Sequence, residues 1–412
     1  MPVPFRYNVR SIFYRKTTTL LTLLAIALTV GVVTIVLAVR QGFVGAAARA
    51  GRPDNVICMR QGSTSEGESS VALDVAQTVV ALPEVARSAE GLPLAVPEIY
   101  LGFYLMRENG KGGTNVSIRG TSPLALQIRP DVTIGEGRMF TPGRREIVVG
   151  KGLVGRIRGC RPGGALTIRG EDWAVVGVID AKGSAYESEV WADADQLRQF
   201  LNRPGWNTVI FRAAPGIDVG EAARVVVPDG LTGVELANAT KLVPATGLLG
   251  RLEGSDYKFK AVNEQAYFEQ QAGLMGMIIG ALAGLLAVLL SFGAIFGCTN
   301  TLLAAVSGRT REIGSLLALG FRPRDILIGF LTEALLIGLL GGVAGILLAS
   351  PMHGSSTGTF GIGSFTESTF KFEITPPVIA IALGLAAFVG LVGGVMPAIR
   401  ASRLAPVNAL RD

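Results

Sequence analysis

Histidine is nearly absent from this 412-residue chain, and His353 is the only one. Cysteine is scarce too: Cys58, Cys160 and Cys298 are all there are. A metal hydrolase needs clustered His, Cys or carboxylate ligands, and serine-hydrolase chemistry needs a base beside its nucleophile. One histidine next to a loop builds neither. A glycine-rich phosphate loop ending in Gly-Lys-Ser/Thr is also missing. Gly150-Lys151-Gly152 comes nearest, but lacks the glycine spacing and the hydroxyl that would hold Mg²⁺. Neither ATP hydrolysis, a cofactor nor a metal is expected of this chain. Cys58 and Cys160 fall in one aqueous segment, where a disulfide and two unpaired small apolar side chains are both open readings.

Charge is thin for the length: 17% of residues are charged and 49% are hydrophobic. The apolar residues concentrate in four runs, each long enough for the ~20 residues that a bilayer requires. The first is 17–39, without a charge. The second starts near Ala272 and stays uncharged to Gly308. The third is 326–349, broken only by Glu333. The fourth is 377–396. The first run is longer than the ~7–15 residues of a signal-peptide core and reads as an uncleaved anchor.

The expected fold is an α-helical membrane protein with four transmembrane helices and an extracytoplasmic α+β domain between helices 1 and 2. Its expected parts are an interfacial segment 1–16, spans 17–39, 272–298, 326–349 and 377–396, the domain 40–271, a hairpin 299–325, a loop 350–376 and a tail 397–412. A smaller subdomain is expected over about 193–256.

The formal charge of +6 is topogenic in its distribution. Arg6, Arg10, Arg15 and Lys16 precede the first run. Arg309, Arg311, Arg322 and Arg324 lie between the second and third. Arg400, Arg403 and Arg411 follow the fourth. The loop between the third and fourth runs carries only Lys371 against Glu367 and Glu373. The positive-inside rule then puts both termini and the 299–325 hairpin in the cytosol, in the plasma (inner) membrane. This accounts for the basic balance without nucleic acid. Residues 3–15 mix aromatics with arginine, as an interfacial helix at the lipid headgroups does.

In the aqueous segment, short Val-, Ile- and aromatic-rich runs read as strands at 55–60, 97–106, 114–119, 146–149, 165–169, 173–179, 189–191, 208–212 and 224–227. Helical spacing marks 74–82 and 193–201. Gly135–Gly137 and 161–164 read as turns. A helix from about 257 is expected to run on into the second span.

The hairpin is the densest signal. Arg309, Thr310, Arg311 and Glu312 end a long helix, then come Ile313, Gly314 and a short apolar stretch. Gly320 closes it, Pro323 restarts the chain between Arg322 and Arg324, and Glu333 sits two turns on. An ionisable residue inside a span is costly and often functional. Pairing of Glu333 with Arg309, Arg311 or Arg324 is expected in preference to a proton relay. Paired aspartates or a Ser/His dyad, which an intramembrane protease would want, are missing from the spans. Small residues recur at four-residue spacing: Gly276, Gly280 and Gly284; Gly338 and Gly342; Gly341 and Gly345; Gly390 and Gly394. Such faces let helices pack closely.

These pieces, in order, resemble the permease subunits of MacB/FtsX-type ABC transporters, the mechanotransmission class that includes the lipoprotein-releasing permeases. The resemblance is carried by REIGSLLALG at 311–320, 325–327 and Glu333-Ala334-Leu335, and by GVMPAIRASRLAPVNAL at 394–410. In the aqueous segment IRGT at 118–121, GEGRMF at 135–140, EIVVGK at 146–151 and AVVGV at 174–178 add to it. The resemblance implies a permease homodimer or heterodimer bound to separate P-loop ABC ATPase subunits, which hold ATP and Mg. It implies ATPase contact at Arg309–Gly314 and the following turn, Arg322 and Arg324. It implies motion of the outer domain that drives export or extraction of a lipid, lipoprotein, peptide or other amphiphile. A periplasmic adaptor and an outer-membrane component would complete an envelope-spanning pump. The chain begins at its first membrane helix, as the split form of the family does. The alternative function is a non-transporting regulator that transmits force to an envelope partner such as a cell-wall hydrolase.

Overall fold

The computed structural model describes residues 16–221, 224–226, 241–243, 245–253, 259–360 and 366–404. The interfacial segment expected before Lys16 and the end of the tail lie outside the described residues. Two compact units emerge. A helical unit holds 1–42, 276–355 and 372–412, and a sheet unit holds 43–275 and 356–371.

Four long helices are numbered α1 (Lys16–Ala48), α2 (Glu264–Ser307), α3 (Pro323–Ala349) and α4 (Pro376–Ser402). Each is long and apolar enough to cross a membrane. In lipid, every backbone group must be satisfied inside the protein. α4 contains Pro397, which has no N–H for the carbonyl of Gly393 four residues back. The Thr299 hydroxyl of α2 donates to that carbonyl at 2.9 Å instead.

Glycine contacts set the packing of the helical unit. A Cβ on Gly338 of α3 would lie 2.6 Å from the Ala386 carbonyl oxygen, and one on Gly390 of α4 would lie 2.6 Å from that of Ala334. Gly345 of α3 meets Gly31 and the Ala27 carbonyl of α1 in the same way, and Gly393 of α4 meets Cys298 of α2. The expected small-residue faces of α3 and α4 are thus the contact surfaces. The face expected at Gly276, Gly280 and Gly284 differs. The Gly276 carbonyl accepts from Arg40 Nε at 2.9 Å and Gly280 lies under the Arg40 side chain, while Gly284 has open space where a Cβ would stand. Among the described residues α2 meets the other long helices through Ala294, Cys298 and Leu302 instead.

The sheet unit is built on β1 (Asn55–Arg60), β2 (Ala95–Met106), β3 (Gly113–Thr121), β4 (Thr133–Gly137), β5 (Glu146–Gly150), β6 (Ala165–Ile168), β7 (Glu171–Asp180), β8 (Glu189–Asp193) and β9 (Thr208–Arg212). β10 (Arg224–Val226), β11 (Lys241–Val243), β12 (Phe259–Asn263), β13 (Ser356–Phe360) and β14 (Glu367–Lys371) follow. One ten-stranded mixed sheet runs β12-β1-β9-β2-β3-β8-β5-β7-β4, with β6 also on β7. β3/β8 and β5/β7 are parallel and the remaining pairs antiparallel. β1 and β12, the first and last strands of the insertion, pair with Val56 opposite Asn263.

Side chains alternate across a strand, and here both faces of the sheet are covered. Val56, Cys58, Val209 and Phe211 join one core with Leu197, Leu248 and Leu252 from short helices. Their neighbours Ile57, Met59 and Ile210 join another with Tyr267 of α2.

Several expectations are corrected. The helix expected from about 257 starts only at Glu264, because Phe259–Asn263 pairs with β1 as strand β12. The smaller subdomain over 193–256 does not separate, since helix Ala194–Phe200, β9 and helix Gly247–Glu253 all bury their apolar faces in the main core. Within that range β10 and β11 form a two-stranded sheet of their own. Gly135–Gly137 is not a turn but the end of β4, with a bulge at Ile134/Glu136 and Gly137 at φ +76° tight against the Val176 carbonyl. Finally, part of the 350–376 loop is a pair of strands, β13 and β14, that belongs to the sheet unit. Thr369 and Ser188 share a 2.6 Å hydroxyl contact, and Ser117 Oγ lies 2.8 Å from Thr366 Oγ1. Cys58, Cys160 and Cys298 are unpaired and buried.

Candidate functional site

The first candidate is the turn between α2 and α3. Helix Thr310–Ala318 ends in two reverse bonds, Gly320 N–H to the Leu317 carbonyl at 3.1 Å and Phe321 N–H to that of Leu316 at 3.2 Å. This is a Schellman closure, and it needs the φ of +94° that Gly320 adopts. Pro323 then opens α3 at N1, while the Asp325 carboxylate accepts the Arg322 N–H at 3.1 Å. Ile313 packs among Val306, Ile326, Phe330 and Ala398. Both ends of the turn are therefore fixed by backbone chemistry and its underside by a small core.

Of the residues expected to meet a partner, Arg311, Glu312, Arg322 and Arg324 are exposed, as is Leu319, at 78%. Ile313 and Gly314 are not, because helical spacing turns them inward. Thr310 spends its hydroxyl on the Ser307 carbonyl at 2.9 Å. Arg309 reaches back to Glu333, 3.6 Å away, both largely buried. Glu333 thus has one of the arginine partners expected for it.

The second candidate was missed in the sequence. It is a ladder of buried charge in the sheet unit. β2, β3 and β8 turn Glu98 and Tyr100, Ser117, Arg119 and Thr121, and Glu189 and Trp191 away from the apolar core that holds Ile99, Ile118 and Val190. Arg119, 1% exposed, makes five hydrogen bonds to Glu66, Glu98 and Glu189, all between 2.7 and 3.0 Å. Arg129 grips Glu98 with both Nη atoms, at 2.7 and 3.0 Å, and gives Nε to Glu264 at 2.9 Å. The Glu264 carboxylate also accepts from Tyr186 Oη and Asn55 Nδ2, each at 2.7 Å. Glu264 is the first residue of α2, so the ladder clamps the root of that helix to the sheet. A period-two stripe of polar residues in IRGT and its neighbours was the available signal.

Burial and charge act against each other in the ladder. Burial would raise the Glu98 carboxyl, but Arg129 and then Arg119 hold it down to about 2. Burial raises Glu66, and Arg119 only partly opposes this. A carboxyl whose native value is depressed stabilises the fold above its ordinary value and loses that contribution as pH falls towards the native value. The Glu98 contribution, roughly 3 kcal/mol for a drop from 4.5 to about 2, is therefore lost between about pH 4.5 and 2. Glu66 has the opposite sign, and what it contributes fades as pH rises through its elevated value. Trp173, Trp191 and Trp206 are the chain's three tryptophans and all lie in the sheet unit. Tryptophan fluorescence is expected to show an acid-induced loss of unfolding temperature between about pH 4.5 and 2 that is clearly smaller in Glu98→Gln. An identical loss in both proteins would remove Glu98 as its source.

Among the described residues no three His, Cys, Asp or Glu gather as a metal site. His353 is exposed, and its Nδ1 accepts the Ile374 N–H at 3.1 Å. Neither candidate arranges a nucleophile and a base. What they offer is an exposed, charged turn and a buried network of ion pairs.

Four helices long and apolar enough to cross a membrane, with a mixed-sheet unit inserted in the chain between the first two, describe a multi-pass membrane protein. Residues 19–228, half of the chain, match the MacB-like periplasmic core domain, and 284–406 match the FtsX-like permease C-terminal. The chain belongs to the MacB/FtsX-type ABC permeases. It is 28% identical to the pyoverdine export ATP-binding/permease protein PvdT of Pseudomonas entomophila over 97% of its own length, and spans 58% of that relative. It is 37% identical to the macrolide export ATP-binding/permease protein MacB of Chromobacterium violaceum, over 32% of this chain and 19% of that one. The sheet unit is similar to the crystal structure of the periplasmic region of MacB from Actinobacillus actinomycetemcomitans at 12% identity, covering 53% of this chain and 92% of that one, with a TM-score of 0.35. The family assignment rests on the sequence matches and not on that superposition.

Proposed function

We propose that this chain is the permease subunit of an ABC transporter that exports or extracts an amphiphile, with ATP and Mg held by an ATPase on another chain. Both termini and the α2–α3 turn lie in the cytosol of the plasma (inner) membrane, and the sheet unit lies outside it. Two permeases pair around the ATPase dimer, and an adaptor and an outer-membrane component extend the path in a two-membrane envelope. ATP-driven closure would tilt α2, and the ladder at Glu264 would pass that tilt to the sheet. The relatives named for pyoverdine and macrolide export support a transport role.

The observation that carries this reading is the exposed tip of Arg311, Glu312, Leu319, Arg322 and Arg324 on a turn locked by the Gly320 closure and the Pro323 restart. Charged and apolar groups on a stiff support suit a protein partner, because little conformational freedom is lost on docking.

The test is affinity purification of the tagged protein from native membranes. A P-loop ATPase is expected in stoichiometric amount, and its recovery should fall about tenfold in the Arg311→Ala/Glu312→Ala double variant, as for loss of an interface hot spot. Recovery of the clean permease with no ATPase, in a detergent that preserves a known ABC complex, would refute the assignment.

A further inference from the structure

The sheet unit lines a partly open cavity of about 380 Å³ that neither the charge ladder nor the exposed α2–α3 turn explains. Its walls come from the last residues of α1, the turn at 64–68, β2, β3, β8, β14 and the first turns of α2. The volume lies within the range of small-molecule sites, ~300–1,000 Å³, and towards its lower end. It is too small for a folded peptide or a two-chain lipid.

The lining is of two kinds. Phe43, Tyr100, Tyr267, Phe268 and Phe370 supply aromatic surface. Against them stand hydroxyls, amides and two carboxylates, Glu68 and Glu189. No lysine, arginine or histidine is among the described lining residues, and the Arg119 guanidinium lies 4.8 Å over the Tyr100 ring. Behind the wall the ladder sets four carboxylates, of Glu66, Glu98, Glu189 and Glu264, against the two guanidiniums of Arg119 and Arg129. The formal sum is two negative charges, and Glu68 adds a third at the rim. Glu68 is exposed and takes one hydrogen bond from Thr64, at 2.7 Å.

A second, independent observation points to a ligand. Ser65 is 4% exposed, lines the cavity, and its Oγ has no hydrogen-bond partner. A buried hydroxyl without a partner is costly, so a vacant acceptor facing a cavity asks for a donor. A negative, aromatic-walled pocket attracts cations through charge and through the faces of the rings. An ammonium group meets both requirements: its N–H bonds satisfy Ser65 and Glu68 while its apolar body lies on the aromatic wall.

We propose that this cavity is a binding site for a small amphiphile carrying an ammonium group. The occupant is one drug-sized molecule with an aromatic or alkyl body, seated beside Ser65 and Glu68. The site stands on the geometry of the sheet unit alone, and holds whether or not an ATPase drives the chain.

The test uses the purified full chain in lipid nanodiscs, with dansylcadaverine as the probe. It carries a primary ammonium and an aromatic body, and its N-acetyl derivative removes the charge while keeping the body. All three tryptophans lie in the sheet unit, so the component of tryptophan-to-dansyl transfer that saturates with probe concentration reports binding to that unit, while lipid partitioning gives a non-saturating background. Saturable transfer is expected with the amine, with affinity about tenfold above that of the N-acetyl compound. Glu68→Gln, an exposed substitution that leaves the ladder untouched, should weaken the amine about fivefold, and Ser65→Ala about threefold. Neither should change binding of the N-acetyl compound. Equal affinities for the two probes, or amine binding unchanged in both variants, would overturn the proposal.

Discussion

Arg119→Met is expected to unfold the sheet unit while leaving the helical unit to be made. The substitution keeps much of the apolar stem and removes the guanidinium that serves Glu66, Glu98 and Glu189. Glu98 retains Arg129, but Glu66 and Glu189 lose their cation at 4% exposure or less. Removing one partner of a buried ion pair costs about 3–5 kcal/mol, because the other charge stays buried and uncompensated. That is comparable with much of a domain's stability, about 5–15 kcal/mol. Tryptophan fluorescence in denaturant should show the midpoint collapse, with protease cleavage confined to the sheet unit. Arg119→Lys should recover less than half of the loss, since an ammonium has three donors for a site that uses five bonds. Adding Glu66→Gln and Glu189→Gln to Arg119→Met should restore more than the lysine does, because it removes the stranded charge itself. A single Arg119→Met variant as stable as the parent would refute the charge argument.

Gly390→Leu is the second large effect, and it acts on the helical unit. Even the first carbon of the new side chain would stand 2.6 Å from the Ala334 carbonyl oxygen and 3.0 Å from the Gly338 Cα. Backbone cannot yield there, so α3 and α4 must part. Overpacking of a tight contact costs about 1–3 kcal/mol or more. In lipid no hydrophobic force pulls separated helices back together. Thermal aggregation in mild detergent should shift down by many degrees, and recovery of monodisperse protein should fall. Gly284→Leu is the control, for open space surrounds that position within the chain. It should leave the melting temperature unchanged, and any defect there would have to come from another chain. Equal behaviour of the two variants would sink the assignment of α3–α4 as the close contact.

Much of this could be read in advance, and the reason is physical in each case. Span 326–349 declares itself because bilayer thickness demands an apolar run of that length, and α3 covers it from Pro323 to Ala349. The turn declares itself because Gly320 and Pro323 each have a backbone chemistry that few other residues share. The pairing of Glu333 with an arginine followed from the cost of leaving it alone in a span, and the structure chose Arg309. The β1 and β9 runs were legible from their Val and Ile content, though the placing of β9 between β1 and β2 was not.

The sequence by itself determined four apolar spans, an aqueous insertion after the first, a glycine-closed turn between the second and third, and a family. These are local properties: length, composition and φ preference act over a few residues, and any arrangement of the elements must respect them. Only the tertiary structure decided that Glu66, Glu98, Arg119, Arg129, Glu189 and Glu264 form one ladder, although as many as 198 positions separate them in the chain. The same holds for the cavity beside Ser65 and for the choice of Gly338 and Gly390, over Gly284, as the seam of the bundle. A charge or a glycine has no local mark that names its partner. The partner is set by which strands pair and which helix faces meet, and that is decided by the burial of the whole chain.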